Sequence, residues 1–406
     1  MRFTLIISTL LFSLFSFSQN LKVLFIGNSY TNNNNLPSIV SNISNDMGTP
    51  ITVDSYTPGG YTFESHYNDN NTLNKIQQDD WDYVILQAQS QEPSFPDNQV
   101  NANTLVYAQL LADEVYANNP CSQVLYYMTW GRENGDPQWG PISTYDGMQN
   151  RLRNAYVRFS DSSKASVSPV GVAWKYTRDN NPNLDLYASD GSHPSYAGSY
   201  LAACTFYTSI FRSSVSSTNF IGSLTAGDAD LLQDAADAAV LDSLDIFHLR
   251  PKNIRASFNY TLTGNTVEIE NTSWHATTSN FDFGDGTIIS SPNPIHTYAN
   301  SPTQYSITLN AENTCETEST SINLGGSSAS LSEEGKSQLS VKFENNTLLI
   351  NSQEPIEGIK LFTLSGNMIF DYELNNSTGT IDVSNLDNGI YLLVHGNSAQ
   401  RVNIFR

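Results

Sequence analysis

Leu21-Lys22-Val23-Leu24-Phe25-Ile26-Gly27-Asn28-Ser29-Tyr30-Thr31 is the stretch that decides how the first half of the chain is read. Leu21 to Ile26 is a short apolar run with β-branched and aromatic members, the pattern of a strand buried on both faces. It stops at Gly27-Asn28-Ser29, and the next apolar periodicity is helical. Open parallel sheets bind their ligands at the carboxyl ends of the strands. A hydroxyl at this place is therefore a candidate nucleophile. Serine is equally a favoured helix N-cap, and this stretch alone leaves both readings open.

Working outward, strand-like runs alternate with helical patterns as far as about Ser214. Strands are predicted over Val23–Ile26, Ile51–Tyr56, Tyr83–Leu86, Val124–Met128 and Val167–Val172. Between them Leu36, Ile39, Val40, Ile43 and Met47 recur at helical spacing, with Pro37 near the start and Gly48 just past the end. The sets Val106, Leu110, Leu111, Val115 and Met148, Leu152, Ala155, Phe159 do the same, and a last helical stretch runs from Ala229 to Phe247. Alternation of this kind means a parallel sheet covered on both faces, a three-layer α/β domain over residues 20–250.

Asp190-Gly191-Ser192-His193-Pro194 is a polar turn ahead of an apolar, helix-like run from Tyr196 to Phe211. Pro194 suits the first turn of that helix. An Asp three residues before a His can hold the imidazole tautomer while the free ring nitrogen takes a proton from Ser29. Alone such a pair is ordinary loop composition. After a strand–Gly-x-Ser turn, as the last loop of the same domain, it is a candidate catalytic unit. The Ser…Asp…His order with the last two three apart argues against the α/β-hydrolase fold. So does Thr31, which stands where the GxSxG elbow has its second glycine.

Gly27-Asn28-Ser29 together with Asp190-Gly191-Ser192-His193-Pro194 resembles the SGNH (GDSL-like) hydrolase superfamily, in a branch whose first block reads GNSYT. The resemblance covers roughly residues 20–215. It implies a flavodoxin-like fold, ester hydrolysis without a cofactor, Ser29 as nucleophile, and His193 and Asp190 as base and partner. The family's second block supplies an oxyanion-binding glycine N–H, and in Pro58-Gly59-Gly60-Tyr61-Thr62 the better match is Gly60. A Gly-Gly pair is also an ordinary turn. The third block departs from the family. Where Gly-x-Asn-Asp is usual, this chain has Leu86-Gln87-Ala88-Gln89-Ser90-Gln91-Glu92. With strand ends aligned, Gln87 takes the Gly position and Gln89 the Asn position, whereas Gln91 needs a two-residue insertion. The expected oxyanion hole is thus Ser29, Gly60 and Gln89.

Trp130 and Arg132, in Met128-Thr129-Trp130-Gly131-Arg132, follow the fourth strand and line the same edge. They can serve as a sugar-stacking wall and a carboxylate clamp, or as an aromatic edge with a structural ion pair. His66 is read as a satisfied surface group within reach of the cleft. Six scattered histidines without HExxH, and three cysteines without CxxC, give no metal site.

Nineteen basic against 40 acidic residues, a net charge of −21, would repel a phosphate backbone, which excludes nucleic acid as a partner. Met1-Arg2, an apolar run from Phe3 to Phe17 and then Ser18-Gln19-Asn20 describe a secretory signal peptide over residues 1–18, too short to span a bilayer. No other stretch reads as transmembrane. In an oxidising compartment Cys121 and Cys204 can pair, leaving Cys315 single.

After Phe247 the texture turns to Thr, Ser and Asn with short alternating runs, an all-β pattern from residue 251 to 324. Phe281-Asp282-Phe283-Gly284-Asp285-Gly286 and His296-Thr297-Tyr298 resemble a PKD domain, an immunoglobulin-like sandwich, over about 253–324. Residues 325–338, opening with Gly325-Gly326-Ser327-Ser328, read as a linker. Residues 339–406, with Ser384-Asn385-Leu386-Asp387-Asn388-Gly389-Ile390-Tyr391 before a last strand, resemble the C-terminal sorting domain of the type IX secretion system. The expectation is a secreted or surface-held serine esterase acting on O-acyl, chiefly acetyl, esters of a polysaccharide or oligosaccharide, with the secretion machinery as its other partner. The alternatives are a non-catalytic glycan-binding protein and a lipid or short-chain esterase.

Overall fold

Five short strands, β1 (Leu21–Ile26), β2 (Ile51–Tyr56), β3 (Tyr83–Leu86), β4 (Gln123–Tyr127) and β5 (Ser166–Ser168), build one sheet in the order β2-β1-β3-β4-β5. Every pairing is parallel. This is the flavodoxin-like order, and the direction of winding reverses between β1 and β3. In this computed structural model residues 20–302, 305–324 and most of 339–404 are described. The expected signal peptide (1–18) and linker (325–338) lie outside the described residues. The chain divides into two units, Met1–Asn253 and Ile254–Arg406.

Helices cover both faces of the sheet, which is why Val23–Ile26 and Val84–Leu86 are wholly buried and carry no polar alternation. They are α1 (Ser29–Asn32), α2 (Leu36–Asp46), α3 (Phe63–Tyr67), α4 (Asn70–Gln77) and α5 (Asp97–Val100). The rest are α6 (Val106–Asn118), α7 (Tyr145–Ser163), α8 (Val170–Asn180), α9 (Tyr196–Phe211) and α10 (Ala226–Leu241). Helix α9 is apolar nearly all round because α2, α8 and α10 all pack on it. No described helix is long and apolar enough to cross a membrane.

Three expectations need correction. The fifth strand stops at Ser168 instead of running to Val172. Pro169 precedes a helix whose buried residues Val170, Ala173, Trp174 and Thr177 fall at helical spacing. Its entry is tight: a Cβ on Gly171 would stand 2.3 Å from the Thr129 carbonyl oxygen. Pro194 lies ahead of α9, whose N-cap is Ser195, the hydroxyl accepting from the Gly198 N–H. Cys204, in the middle of α9, is a buried free thiol and forms no bridge to Cys121.

The second unit holds two apolar cores. Around Phe258, Val267, Phe281, Phe283, Ile307 and Leu309 a three-stranded sheet (Ile295–Thr297, Thr266–Asn271, Phe258–Thr263) accompanies a four-stranded one (Thr317–Asn323, Ser306–Glu312, Thr278–Asp282, Ile288–Ser290). The PKD-like aspartate and histidine serve the turn: His296 Nε2 meets Asp285 Oδ2 at 2.8 Å, and Asp282 accepts from the Gly284 N–H. A second antiparallel pair of sheets, of three and four strands between Leu339 and Ile404, surrounds Leu348, Ile350, Leu361 and Leu393.

Candidate active site

At the carboxyl end of β1 the chain passes through Gly27 and Asn28 into α1. Asn28, not Ser29, is the N-cap, its side-chain oxygen accepting from the Tyr30 N–H at 3.1 Å. The capping role is filled, and Ser29 is left as the first helical residue, whose N–H has no acceptor within the helix.

The turn is clamped from beneath by Gln87, a fully buried side chain that follows β3. Its Oε1 accepts from the Asn28 N–H and from the Thr31 hydroxyl, both at 2.9 Å, and its Nε2 donates to Asn28 Oδ1 at 2.9 Å and to the Ala88 carbonyl. Only glycine fits above it. A Cβ on Gly27 would stand 2.5 Å from Thr31 Oγ1 and 2.7 Å from Gln87 Oε1. His66 completes the support: its Nε2–H donates to the Gly27 carbonyl (3.0 Å), and Nδ1 accepts from the Thr72 hydroxyl (2.9 Å). Burial holds its pKa down to about 4, so the ring is neutral at pH 7. His66 is thus neither a surface group nor a cleft group; it is wholly buried under the Gly27–Ser29 turn.

Opposite, Tyr187 to Pro194 forms a tight hairpin. Tyr187 and Pro194 pair as an isolated bridge, and the Ala188 N–H donates to the His193 carbonyl at 2.8 Å. The left-handed conformation at Gly191 (φ +66°) closes its tip. Asp190 Oδ1 accepts the N–H groups of Ser192 (3.0 Å) and His193 (2.9 Å), while Oδ2 meets His193 Nδ1 at 2.5 Å. These bonds, that to His193 foremost, hold the Asp190 pKa down to about 2. The other ring nitrogen, His193 Nε2, lies 2.9 Å from Ser29 Oγ. Residues 164 apart in sequence are therefore in proton-transfer contact.

The expected oxyanion side is less finished. Gly60 sits in the turn closed by the Tyr61 N–H on the Pro58 carbonyl (3.4 Å), with φ +74°. That conformation favours glycine, and its N–H has no hydrogen-bond acceptor among the described residues. Gln89 Oε1 accepts from the N–H groups of Gln91 (2.7 Å) and Glu92 (3.1 Å), while Nε2 makes only a 3.4 Å contact to Gln91 Oε1. Gln91 is engaged elsewhere, its Nε2 donating to the buried carboxylate of Asp136 at 2.5 Å. Beside it, burial and the neighbouring Glu64 carboxylate push the Glu92 pKa up to about 7.

Trp130 does not form a sugar-stacking wall. It has no exposed surface, because Tyr30 covers one face (4.8 Å between centroids, 7°) and Trp174 the other (3.7 Å, 7°). Arg132 is paired with Asp136 at 2.9 Å, so its charge is balanced within the protein, although 31% of the side chain stays exposed. Sequence reasoning missed Gln87 and Tyr30 as parts of the site. The signal for Gln87 was a glutamine where the family resemblance places a glycine.

A family model described as "Domain of unknown function (DUF4886)" matches residues 19–239; a PKD domain model matches 253–325, and a secretion system C-terminal sorting domain model matches 337–404. No curated protein matches the chain. Among solved structures, a DUF4886 family protein from Bacteroides uniformis is 18% identical over 54% of this chain and 95% of its own, with a TM-score of 0.48. A protein from Slackia heliotrinireducens assigned to the SGNH hydrolases is 25% identical over 47% of this chain and 98% of its own, TM-score 0.40. An acetyl xylan esterase is 14% identical over 47% and 100%, TM-score 0.38.

Proposed function

We propose that this chain, which belongs to the DUF4886 family, is an exported serine hydrolase that removes O-acyl groups, acetyl foremost, from a carbohydrate. The observation that carries the reading is the unbroken line from Ser29 Oγ through His193 to the Asp190 carboxylate. In this scheme His193 Nε2 takes the proton of Ser29 Oγ as that oxygen bonds to the acyl carbon. The carbonyl oxygen becomes an oxyanion and meets the N–H groups of Ser29 and Gly60 and the Gln89 amide. Collapse expels the sugar oxygen, which leaves with the proton held on His193. Water, deprotonated by the same nitrogen, then frees the acid and returns the proton to Ser29. Asp190 stays ionised throughout and steadies the transient imidazolium.

A carbohydrate is favoured over a lipid by the polar segment Asn32 to Asn35 beside the nucleophile. Arg132, through its exposed edge, is the candidate contact for a polar substituent of the substrate. The sorting-domain match supports export to the cell surface or beyond. Hydrolysis of p-nitrophenyl acetate, followed by acetate release from a panel of acetylated polysaccharides, tests the scheme. Folded protein that turns over neither would favour the adhesion reading.

A further inference from the structure

Resting on that catalytic reading, we infer that Tyr30 and Ser192 are positioning residues: their hydroxyl contact, gripped by Trp130, sets the distance between nucleophile and base. The two catalytic segments meet in register. Ser29 Oγ faces His193 Nε2 at 2.9 Å, and one residue along, the Tyr30 hydroxyl meets Ser192 Oγ at 2.6 Å. Trp130 Nε1–H donates to the Ser192 carbonyl at 3.1 Å, so Ser192 is held by main chain and side chain together.

The grip is rigid for a physical reason. Tyr30 is 2% exposed, its ring stacked flat on Trp130 and its edge set against the His193 ring at 5.3 Å. Trp130 in turn lies flat on Trp174, which packs on Tyr187 at the base of the same hairpin. The column of rings thus begins on the nucleophile helix and ends on the hairpin that carries Asp190 and His193. By contrast, the hairpin tip is exposed at Ser189 and Asp190 and only half-buried from Gly191 to His193. Asn34, whose Nδ2 donates to the Pro194 and Ser195 carbonyls, ties the same two segments further back, but the hydroxyl pair is the side-chain contact next to the catalytic hydrogen bond, and that bond must break and re-form in every turnover.

The test is steady-state hydrolysis of p-nitrophenyl acetate by the full chain, with active sites counted by fluorophosphonate labelling so that rates refer to competent molecules. Tyr30→Phe keeps the ring stack and removes one oxygen; Ser192→Ala removes the other. Each is expected to lower kcat about tenfold with KM unchanged, short of the roughly hundredfold that a 1 Å displacement can cost. The double variant should be no slower than the slower single one, since both break the same contact. Ser192→Thr, which restores a hydroxyl, should recover most of the rate. Single variants within about twofold of the parent, losses that multiply, or no recovery with threonine would each overturn the latch. Ser29→Ala is run alongside: turnover retained there would overturn the catalytic reading itself, and turnover abolished there with normal rates in Tyr30→Phe and Ser192→Ala would overturn the latch alone.

Discussion

The two halves of the cleft are built to different degrees of completion. On the acid–base half every polar group has its partner: Asp190 accepts three donors, His193 uses both ring nitrogens, and Asn28, Gln87 and His66 fix the turn beneath Ser29. On the proposed oxyanion half the Gly60 N–H meets no acceptor among the described residues, and Gln89 spends its oxygen on its own loop while its nitrogen makes a 3.4 Å contact to Gln91. On the proposed function, the difference follows from what each half would act upon. Groups that exchange a proton with one another can satisfy one another at rest. Groups that stabilise a charge on the substrate must stay unsatisfied until that charge appears, which is what preorganised donors do.

Breaking the finished half should have the largest effect. Ser29→Ala is expected to lower kcat by about 10⁴ or more while leaving the thermal midpoint unchanged, as read by ester hydrolysis and calorimetry. Next comes the unfinished half. Gln89→Ala should cost about a hundredfold in kcat with KM little changed, whereas Gln91→Ala, whose amide is held by Asp136, should act mainly on stability. The opposite assignment of losses would transfer the oxyanion role to Gln91.

Two pH experiments sharpen the contrast without touching catalysis directly. His66 has its folded pKa lowered to about 4 against 6.5 unfolded, so the unfolded chain binds more protons in that window. Stability present above pH 6.5 is lost as the pH falls toward 4, by about 3 kcal/mol. Urea unfolding from pH 7 to 4 should show the decline, and its absence would mean the ring is charged in the fold. Glu92 has the reverse sign. Its folded pKa, near 7 against 4.5, makes stability fall as the pH rises through that range. Glu92→Gln should therefore stabilise relative to the parent at pH 8 but not at pH 5, by about 1 kcal/mol once partial exposure is allowed for, visible as a shift of a few degrees.

What was legible in the sequence was whatever local chemistry dictates. A buried apolar strand that ends at Gly27 must turn there, and a polar Asp190–His193 turn before an apolar helix must lie at a sheet edge. The contact between Ser29 and His193 could be expected because both lie at loop ends of one sheet. Position alone does not choose between the two roles open to Trp130. The end of β4 does place it beside the cleft, but which way a side chain turns there depends on Tyr30 and Trp174, distant in sequence. His66 looked isolated because its partners, Gly27 and Thr72, follow no short motif. The end of the fifth strand is ambiguous in sequence because Val167, Val170 and Val172 suit a strand and a helix start alike, and the close approach of Gly171 to Thr129 belongs to the helix.

Cys204 offers a clock. It is the only free cysteine among the described residues, it has no exposed surface, and burial pushes its thiol far above the ordinary range, so the reactive thiolate is scarce. An alkylating reagent can reach it only when α9 leaves α2 and α10, which opens the core of the first unit. Its labelling rate under native conditions therefore counts openings of the layer that holds the Tyr187–Pro194 hairpin in place, one molecule at a time. Measured beside ester hydrolysis, it would separate variants that slow the chemistry from variants that merely let the helix go.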